Sequence, residues 1–176
     1  PMLTLEETRR IMVEWNATER PLPELCTHQL IERQAAKTPG AVAAAFRDEA
    51  LTYGELNRRA NQLARYLRKR GVGPDVPVGI YLERSLGMAV GLLGIMKAGG
   101  AYLPLDPSYP RERLRFMLED SGAGLVLTEE RLADSLPNGA ALVRLDADRV
   151  EIERESGQDP ETQAGPEHLA SVIYTS

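Results

Sequence analysis

The stretch from residue 76 to residue 107 reads VPVGIYLERSLGMAVGLLGIMKAGGAYLPLDP. Its opening, 76–82, is rich in branched apolar residues and predicts a strand. Ser85 is placed to cap a helix that extends through Lys97. After a Gly-Gly break, 101–105 predicts a second strand that ends at an Asp-Pro turn. A strand, a helix and a strand in this order form the unit from which parallel sheets are built.

The helix of this unit is apolar almost all round, which is typical of a helix buried on several sides. Gly87, Gly91 and Gly94 recur at intervals of four and three residues. A glycine within a helix costs up to ~1 kcal/mol relative to alanine. We therefore expect the backbone of a neighbouring element to pack closely on this glycine face. A membrane dimer motif is the alternative, but the apolar run is too short to span a bilayer.

The clearest helix lies upstream and begins after Thr52, with Glu55 three residues on in a capping-box spacing. Its predicted inward face consists of Leu56, Ala60, Leu63, Ala64 and Leu67.

Further elements are predicted on both sides. Helices are expected over 5–15, capped by Thr4 with Glu7; around 30–34; and from Pro110 to near Gly122, with Leu114, Met117 and Leu118 inward. Strands are expected at 41–46 (a buried one), 125–127, 141–143 and 170–174, and 146–167 is expected to be an exposed polar loop. The alternation predicts an α/β fold with a largely parallel sheet flanked by helices.

Composition excludes several classes of function. The 176 residues are 43% hydrophobic and 27% charged, with 21 basic and 26 acidic side chains and no basic stripe. This disfavours a nucleic-acid partner. Neither a membrane span nor a secretory signal is visible, which predicts a soluble cytoplasmic protein. The single cysteine, Cys26, can form no internal disulfide. With His28 and His168 it offers too few ligands for zinc, so a partly buried cysteine and a surface or cap histidine are expected.

Chemistry-bearing motifs are scarce. The chain has no G-x-G-x-x-G after a strand, no Walker-type loop, no H-E-x-x-H and no nucleophile elbow. One feature points to a ligand: the strand over 170–174 ends in Thr175-Ser176, and ligands of α/β proteins bind beyond the carboxyl ends of parallel strands. Two hydroxyl residues at a strand end also commonly begin a turn, so both interpretations stay open.

Three segments carry a resemblance to a known family. They are LTYGEL over 51–56, MKAGGAYLPLDP over 96–107 and SVIYTS over 171–176. They resemble the first three core motifs of nonribosomal peptide synthetase adenylation domains, in the family's order and at its usual spacing. The resemblance covers nearly the whole chain. It implies the N-terminal subdomain of an adenylate-forming enzyme, incomplete in this sequence.

The leader resembles the stretch that joins a condensation domain to its adenylation domain, notably in Trp15-Asn16-Ala17-Thr18 and over 28–43. The resemblance implies that 1–23 is an interdomain linker or the tail of a condensation domain. Residues 24–176 would then be the N-terminal part of the large adenylation subdomain, truncated in the phosphate-binding loop. An acyl-CoA synthetase-like ligase and a non-catalytic structural fragment are the alternatives.

The resemblance also implies a reaction. The family's full domain uses ATP and Mg²⁺ to convert an amino acid into an aminoacyl-adenylate. It then transfers the aminoacyl group to the phosphopantetheine thiol of a peptidyl carrier domain. Thr175 and Ser176 match the first two positions of the phosphate-binding loop and are the expected ATP-binding residues. No catalytic or metal-binding residue is expected, and the 176 residues alone are expected to be inactive.

Overall fold

The computed structural model describes residues 3–20 and 24–175. Its helices are α1 Leu5–Arg9, which continues as a π-helical turn Arg10–Glu14, α2 Thr27–Lys37, α3 Tyr53–Arg68, α4 Leu86–Ala98, α5 Arg111–Ser121, α6 Glu130–Ala133 and α7 Arg149–Glu153. Its strands are β1 Val42–Phe46, β2 Glu49–Thr52, β3 Pro77–Ile80, β4 Ala101–Pro104, β5 Leu125–Thr128 and β6 Ala141–Arg144.

Four strands form a parallel sheet in the order β4-β3-β5-β6. The predicted α/β fold with a parallel sheet flanked by helices is confirmed. The apolar run at 41–46 does form a strand, but it is not a buried one. It pairs antiparallel with β2 in a separate hairpin and is half exposed. An alanine-rich strand with a single partner has little side-chain surface to bury.

Two helices, α3 and α4, cover one face of the sheet, and α5 covers the other. The predicted inward face of α3 is confirmed, because Ala60, Leu63, Ala64 and Leu67 are fully buried. The capping box also forms: the Glu55 N–H donates to Thr52 Oγ1 at 3.2 Å, and the Thr52 N–H donates to Glu55 Oε2 at 2.9 Å. Local capping and apolar period therefore specify the same helix.

The glycines of α4 provide close packing, but not against a neighbouring backbone as expected. A Cβ on Gly94 would lie 2.7 Å from Cδ2 of Leu63, and one on Gly91 would lie 3.1 Å from Cδ1 of Ile80. Side chains from α3 and β3 therefore fill the space that these glycines leave. A Cβ on Gly87 would meet no such neighbour closer than 3.4 Å.

The expectation of an exposed loop over 146–167 is wrong in part. Helix α7 lies in this segment and buries Ile152. Polar side chains of α3 hold the remainder: Asn61 donates to the Gly157 carbonyl at 2.8 Å, and Gln62 donates to the Glu153 carbonyl at 2.8 Å. Hydrogen bonds to main-chain carbonyls order a polar segment without leaving any apolar pattern in its sequence.

At the other end of the chain, the helix predicted over 5–15 forms as α1 and the π-helical turn that continues it. The predicted cap also forms, with the Glu7 N–H donating to Thr4 Oγ1 at 3.2 Å. Their apolar side chains Met12, Val13 and Trp15 are mostly exposed, so this leader contributes little to the core. The described helices include none long and apolar enough to cross a bilayer.

Candidate functional site

The candidate site is the carboxyl edge of the parallel sheet. Here β3 leads into Glu83 and Arg84, β4 into Asp106 and Ser108, and β5 into Glu129. Because the strands are parallel and in register, these turns meet at one edge. This is the edge at which α/β proteins bind their ligands.

An open cleft of about 760 Å³ lies beside the ends of β3 and β4. Apolar side chains from β3, α4 and β4 form its floor, and polar residues form its rim. The lining consists of Ile80, Leu82, Glu83, Arg84, Met88, Leu92, Tyr102, Pro104, Leu105, Asp106, Pro107, Ser108 and Tyr109. An apolar floor with a few polar groups is typical of small-molecule sites.

Three of the charged side chains at this edge are paired with one another. Arg131 contacts Glu83 at 3.0 Å and Glu129 at 2.9 Å, and hydrogen bonds to these carboxylates raise its pKa. The Ser108 N–H donates to Asp106 Oδ1 at 2.8 Å, which lowers the pKa of Asp106. The Arg131 guanidinium therefore already forms ion pairs with two carboxylates.

The segment over 170–174 reaches the same edge beside β4, but it is not the regular strand that the sequence predicts. It pairs with β4 through one parallel bridge between Ser171 and Tyr102. Thr175 follows at the edge and is exposed. It is not among the residues that line the cleft. The other expected ATP-binding residue, Ser176, lies outside the described residues.

Sequence reasoning missed the contact that holds this segment to α5. The Tyr174 hydroxyl donates to Asp120 Oδ2 at 2.5 Å, and this hydrogen bond raises the pKa of Tyr174. The Tyr174 ring also meets Phe116 edge to face, with centroids 6.0 Å apart. Asp120 and Phe116 are four residues apart on α5, which places both on one helix face.

A second missed feature is a buried charge cluster around Lys97. Its ammonium contacts Glu32 of α2 and lies 3.2 Å from Asp159 Oδ1. Burial alone would raise the pKa of Asp159, but hydrogen bonds from Asn57 and Asn61 and the nearby Lys97 lower it. A lysine within a helix that is apolar all round was the available signal, because such a lysine must find a partner.

The cysteine and one of the two histidines lie at the start of α2. Cys26 is half-buried as expected, but His28 is buried, not a surface or cap residue. His28 lies on α2 beside the Lys97 cluster, where burial lowers its pKa. Among the described residues, no three or more His, Cys, Asp or Glu side chains are arranged to hold a metal ion.

The chain is similar to parts of very long synthases. Chondramide synthase cmdD of Chondromyces crocatus is 48% identical over 99% of this chain, which spans 5% of that protein. Gramicidin S synthase 2 of Brevibacillus brevis is 47% identical over 99% of this chain, which spans 4% of it. The chain therefore corresponds to a small share of either relative.

A solved structure matches at similar coverage. The AMPPNP-bound form of the nonribosomal peptide synthetase FmoA3 superposes with a TM-score of 0.88 at 40% identity, over 96% of this chain and 18% of that chain. The same synthetase has also been solved with α-methyl-L-serine-AMP bound. The family model described as AMP-binding enzyme matches residues 31–176. This chain belongs to the AMP-binding enzyme family.

Proposed function

We propose that this chain is the N-terminal part of a nonribosomal peptide synthetase adenylation domain, and that the whole protein activates an amino acid with ATP. One observation carries the proposal. At least 95% of this chain superposes on a nonribosomal peptide synthetase that has been solved with AMPPNP and with α-methyl-L-serine-AMP bound. The chain is also 48% identical to chondramide synthase cmdD and 47% identical to gramicidin S synthase 2 over 99% of its length, which supports the same conclusion.

The proposed reaction has two steps. A carboxylate oxygen of the amino acid attacks the α-phosphorus of ATP, and the bond to the β-phosphate breaks with release of pyrophosphate. The phosphopantetheine thiolate of a peptidyl carrier domain then attacks the aminoacyl carbonyl. A thioester forms, and AMP leaves. Both steps need the phosphates held in a fixed orientation, because phosphoryl chemistry depends on positioning and charge stabilisation.

The contribution of this chain to that orientation is Thr175, at the end of the extended segment over 170–174 that lies beside β4. An exposed hydroxyl and main-chain N–H groups beyond a strand suit phosphate oxygens. Ser176 is the second proposed contact. Mg²⁺ would neutralise the charge of the triphosphate when bound. The described residues offer no cluster of carboxylates for that ion, so we assign none of them to it.

The proposed surroundings of the domain follow from its leader. Residues 1–23 are proposed to link a preceding condensation domain to an adenylation domain that begins near residue 24. Met12, Val13 and Trp15 support this, because their exposure leaves an apolar face outside the core of the adenylation part. A peptidyl carrier domain is the proposed acceptor. A cytoplasmic location is part of the proposal, because the proposed reaction consumes ATP.

Amino-acid-dependent exchange of pyrophosphate into ATP tests the proposal in the whole protein. We expect exchange with at least one amino acid. Thr175→Val should reduce kcat/KM for ATP roughly 10–100-fold, the loss expected for one hydrogen bond to a charged group. Thr175→Ser keeps the hydroxyl and serves as the matched control, with activity near that of the wild type.

Two results would overturn the proposed function. One is formation of a CoA thioester from a non-amino carboxylic acid without amino-acid-dependent exchange, which indicates an acyl-CoA ligase. The other is absence of exchange with every amino acid from a folded whole protein. Equal activity of the valine and serine variants would remove Thr175 from the ATP site.

A further inference from the structure

The segment that leads to Thr175 is weakly tied to the sheet by its main chain. On either side of Ser171, the Tyr102 N–H donates to the Ala170 carbonyl at 3.1 Å, and the Val172 N–H donates to the Tyr102 carbonyl at 3.0 Å. Beyond Val172, the described part of the chain adds no further hydrogen bond to β4. The main chain therefore does not fix the direction in which Thr175 leaves the sheet.

Side-chain contacts take over from that point. Val172 and Tyr174 pack against the core on the α5 side, whereas Ile173 is 66% exposed, which is the alternation of an extended chain. The Tyr174 hydroxyl donates to Asp120, and its ring lies against Phe116. Through Tyr174, α5 therefore holds the residue directly before Thr175.

Helix α5 is a rigid base for this contact. Its inward residues Leu114, Met117 and Leu118 are buried in the core between α5 and the sheet. At its end, Gly122 adopts φ 69° and closes the helix directly after the Asp120 turn. Asp120 therefore has a fixed main-chain position from which to accept the Tyr174 hydrogen bond.

We propose that Asp120 and Tyr174 form a positioning pair that sets the orientation of Thr175 toward the phosphates of ATP. This inference rests on the proposed function. Without the hydrogen bond of the pair, only the packing of its ring holds Tyr174. The chain beyond Val172 can then shift, and three extended residues reach about 10 Å. A displacement of about 1 Å in a phosphate-positioning group is enough to reduce rates by about 100-fold.

The test uses four single variants and one double variant of the whole protein, with initial rates of pyrophosphate exchange. Tyr174→Phe keeps the ring and loses the hydroxyl, and Asp120→Ala removes the acceptor. Each should raise KM for ATP about 5–20-fold and leave KM for the amino acid unchanged. The double variant should be no worse than either single variant, because both remove the same contact.

Two controls separate positioning from general damage. Asp120→Asn keeps a carbonyl oxygen that can accept the hydrogen bond, and its KM for ATP should stay close to that of the wild type. Glu119→Ala, next to Asp120 on α5, should behave like the wild type. The proposal is overturned if the effects of Tyr174→Phe and Asp120→Ala add in the double variant, if both KM values rise together, or if Glu119→Ala has the same effect.

Hydrogen–deuterium exchange measures the pair without relying on activity. Tyr174→Phe should speed deuterium uptake over 170–175 at unchanged melting temperature, and Asp120→Asn should not. Unchanged uptake in Tyr174→Phe would overturn the pair's ordering role even if the enzyme were active. A wild-type protein with slow deuterium uptake over 170–175 that catalyses no pyrophosphate exchange would overturn the proposed function. That result would leave the pair as a purely structural contact.

Discussion

Replacing Glu32 by alanine should destabilise the chain more than replacing its partner Lys97 by methionine. The Lys97 side chain is fully buried, whereas that of Glu32 is 18% exposed and that of Asp159 is 50% exposed. Glu32→Ala leaves an ammonium in the core with Asp159 as its remaining anionic contact. Removing one partner of a buried ion pair costs about 3–5 kcal/mol, and we expect the lower end because Asp159 remains.

Lys97→Met has a different outcome because it leaves carboxylates, not a cation, without a partner. Both carboxylates reach solvent, and Asp159 still accepts hydrogen bonds from Asn57 and Asn61 at 2.8 and 2.9 Å. Methionine fills most of the lysine volume. The remaining cost is that of polar groups with incomplete hydrogen bonding, about 1–2 kcal/mol. Asp159→Asn should cost least, because half-exposed ion pairs contribute less than about 1 kcal/mol.

Equilibrium urea denaturation of the 176-residue chain measures this order. The midpoint should fall most for Glu32→Ala, less for Lys97→Met and least for Asp159→Asn, with an unchanged dependence on urea concentration. The matched control is Glu24→Ala, an exposed carboxylate near the start of α2. A cost of Lys97→Met equal to or above that of Glu32→Ala would refute the reasoning that solvent reaches the carboxylates but not the ammonium.

Two other features give measurable outcomes. Gly94→Ala places a Cβ 2.7 and 2.9 Å from Cδ2 and Cγ of Leu63 and should lower the unfolding free energy by about 1–3 kcal/mol. Gly87→Ala on the same helix should raise the unfolding free energy by up to ~1 kcal/mol. Melting temperatures that shift in the same direction for both variants would contradict the close packing of Leu63 on Gly94. Burial lowers the pKa of His28, and the nearby Lys97 and Arg68 charges add to this effect, which outweighs the opposite effect of Glu32. The folded chain therefore favours the neutral imidazole. The stability present above pH about 6.5 should be lost as the pH falls below that value, because the unfolded chain then binds the proton more readily. His28→Gln should flatten melting temperature against pH between about 7.5 and 5, and an unchanged slope would exclude His28 as the source.

Helices with strong local signals were predictable from the sequence. The apolar period of α3, its capping box, and the Pro110 and Gly122 boundaries of α5 all act within a few residues, and the structure confirms each. The parallel sheet followed from the alternation of elements. The family followed from whole motifs, which carry more information than any single element.

Features that depend on distant partners were not predictable. Helix α7 carries one buried apolar residue, Ile152, which gives no period to detect. Its segment is held by hydrogen bonds from α3 that cross about 90 positions of sequence. The Tyr174–Asp120 pair spans 54 positions, so neither residue carries a local sign of the other. The position of Thr175 at the sheet edge could be predicted from the sequence. The contacts that hold the residues before it could not.

The strand order has a consequence for synthesis of the protein. Strand β4 is complete once residue 104 has emerged from the ribosome, but the segment that pairs with its outer edge begins near residue 170. At translation rates of about 5–20 residues per second, that edge waits roughly 3–13 seconds for its partner. An open edge strand invites pairing with other nascent chains. Pro104, the last residue of β4, lacks the N–H group that such pairing needs, so we expect the end of this strand to resist pairing with other nascent chains.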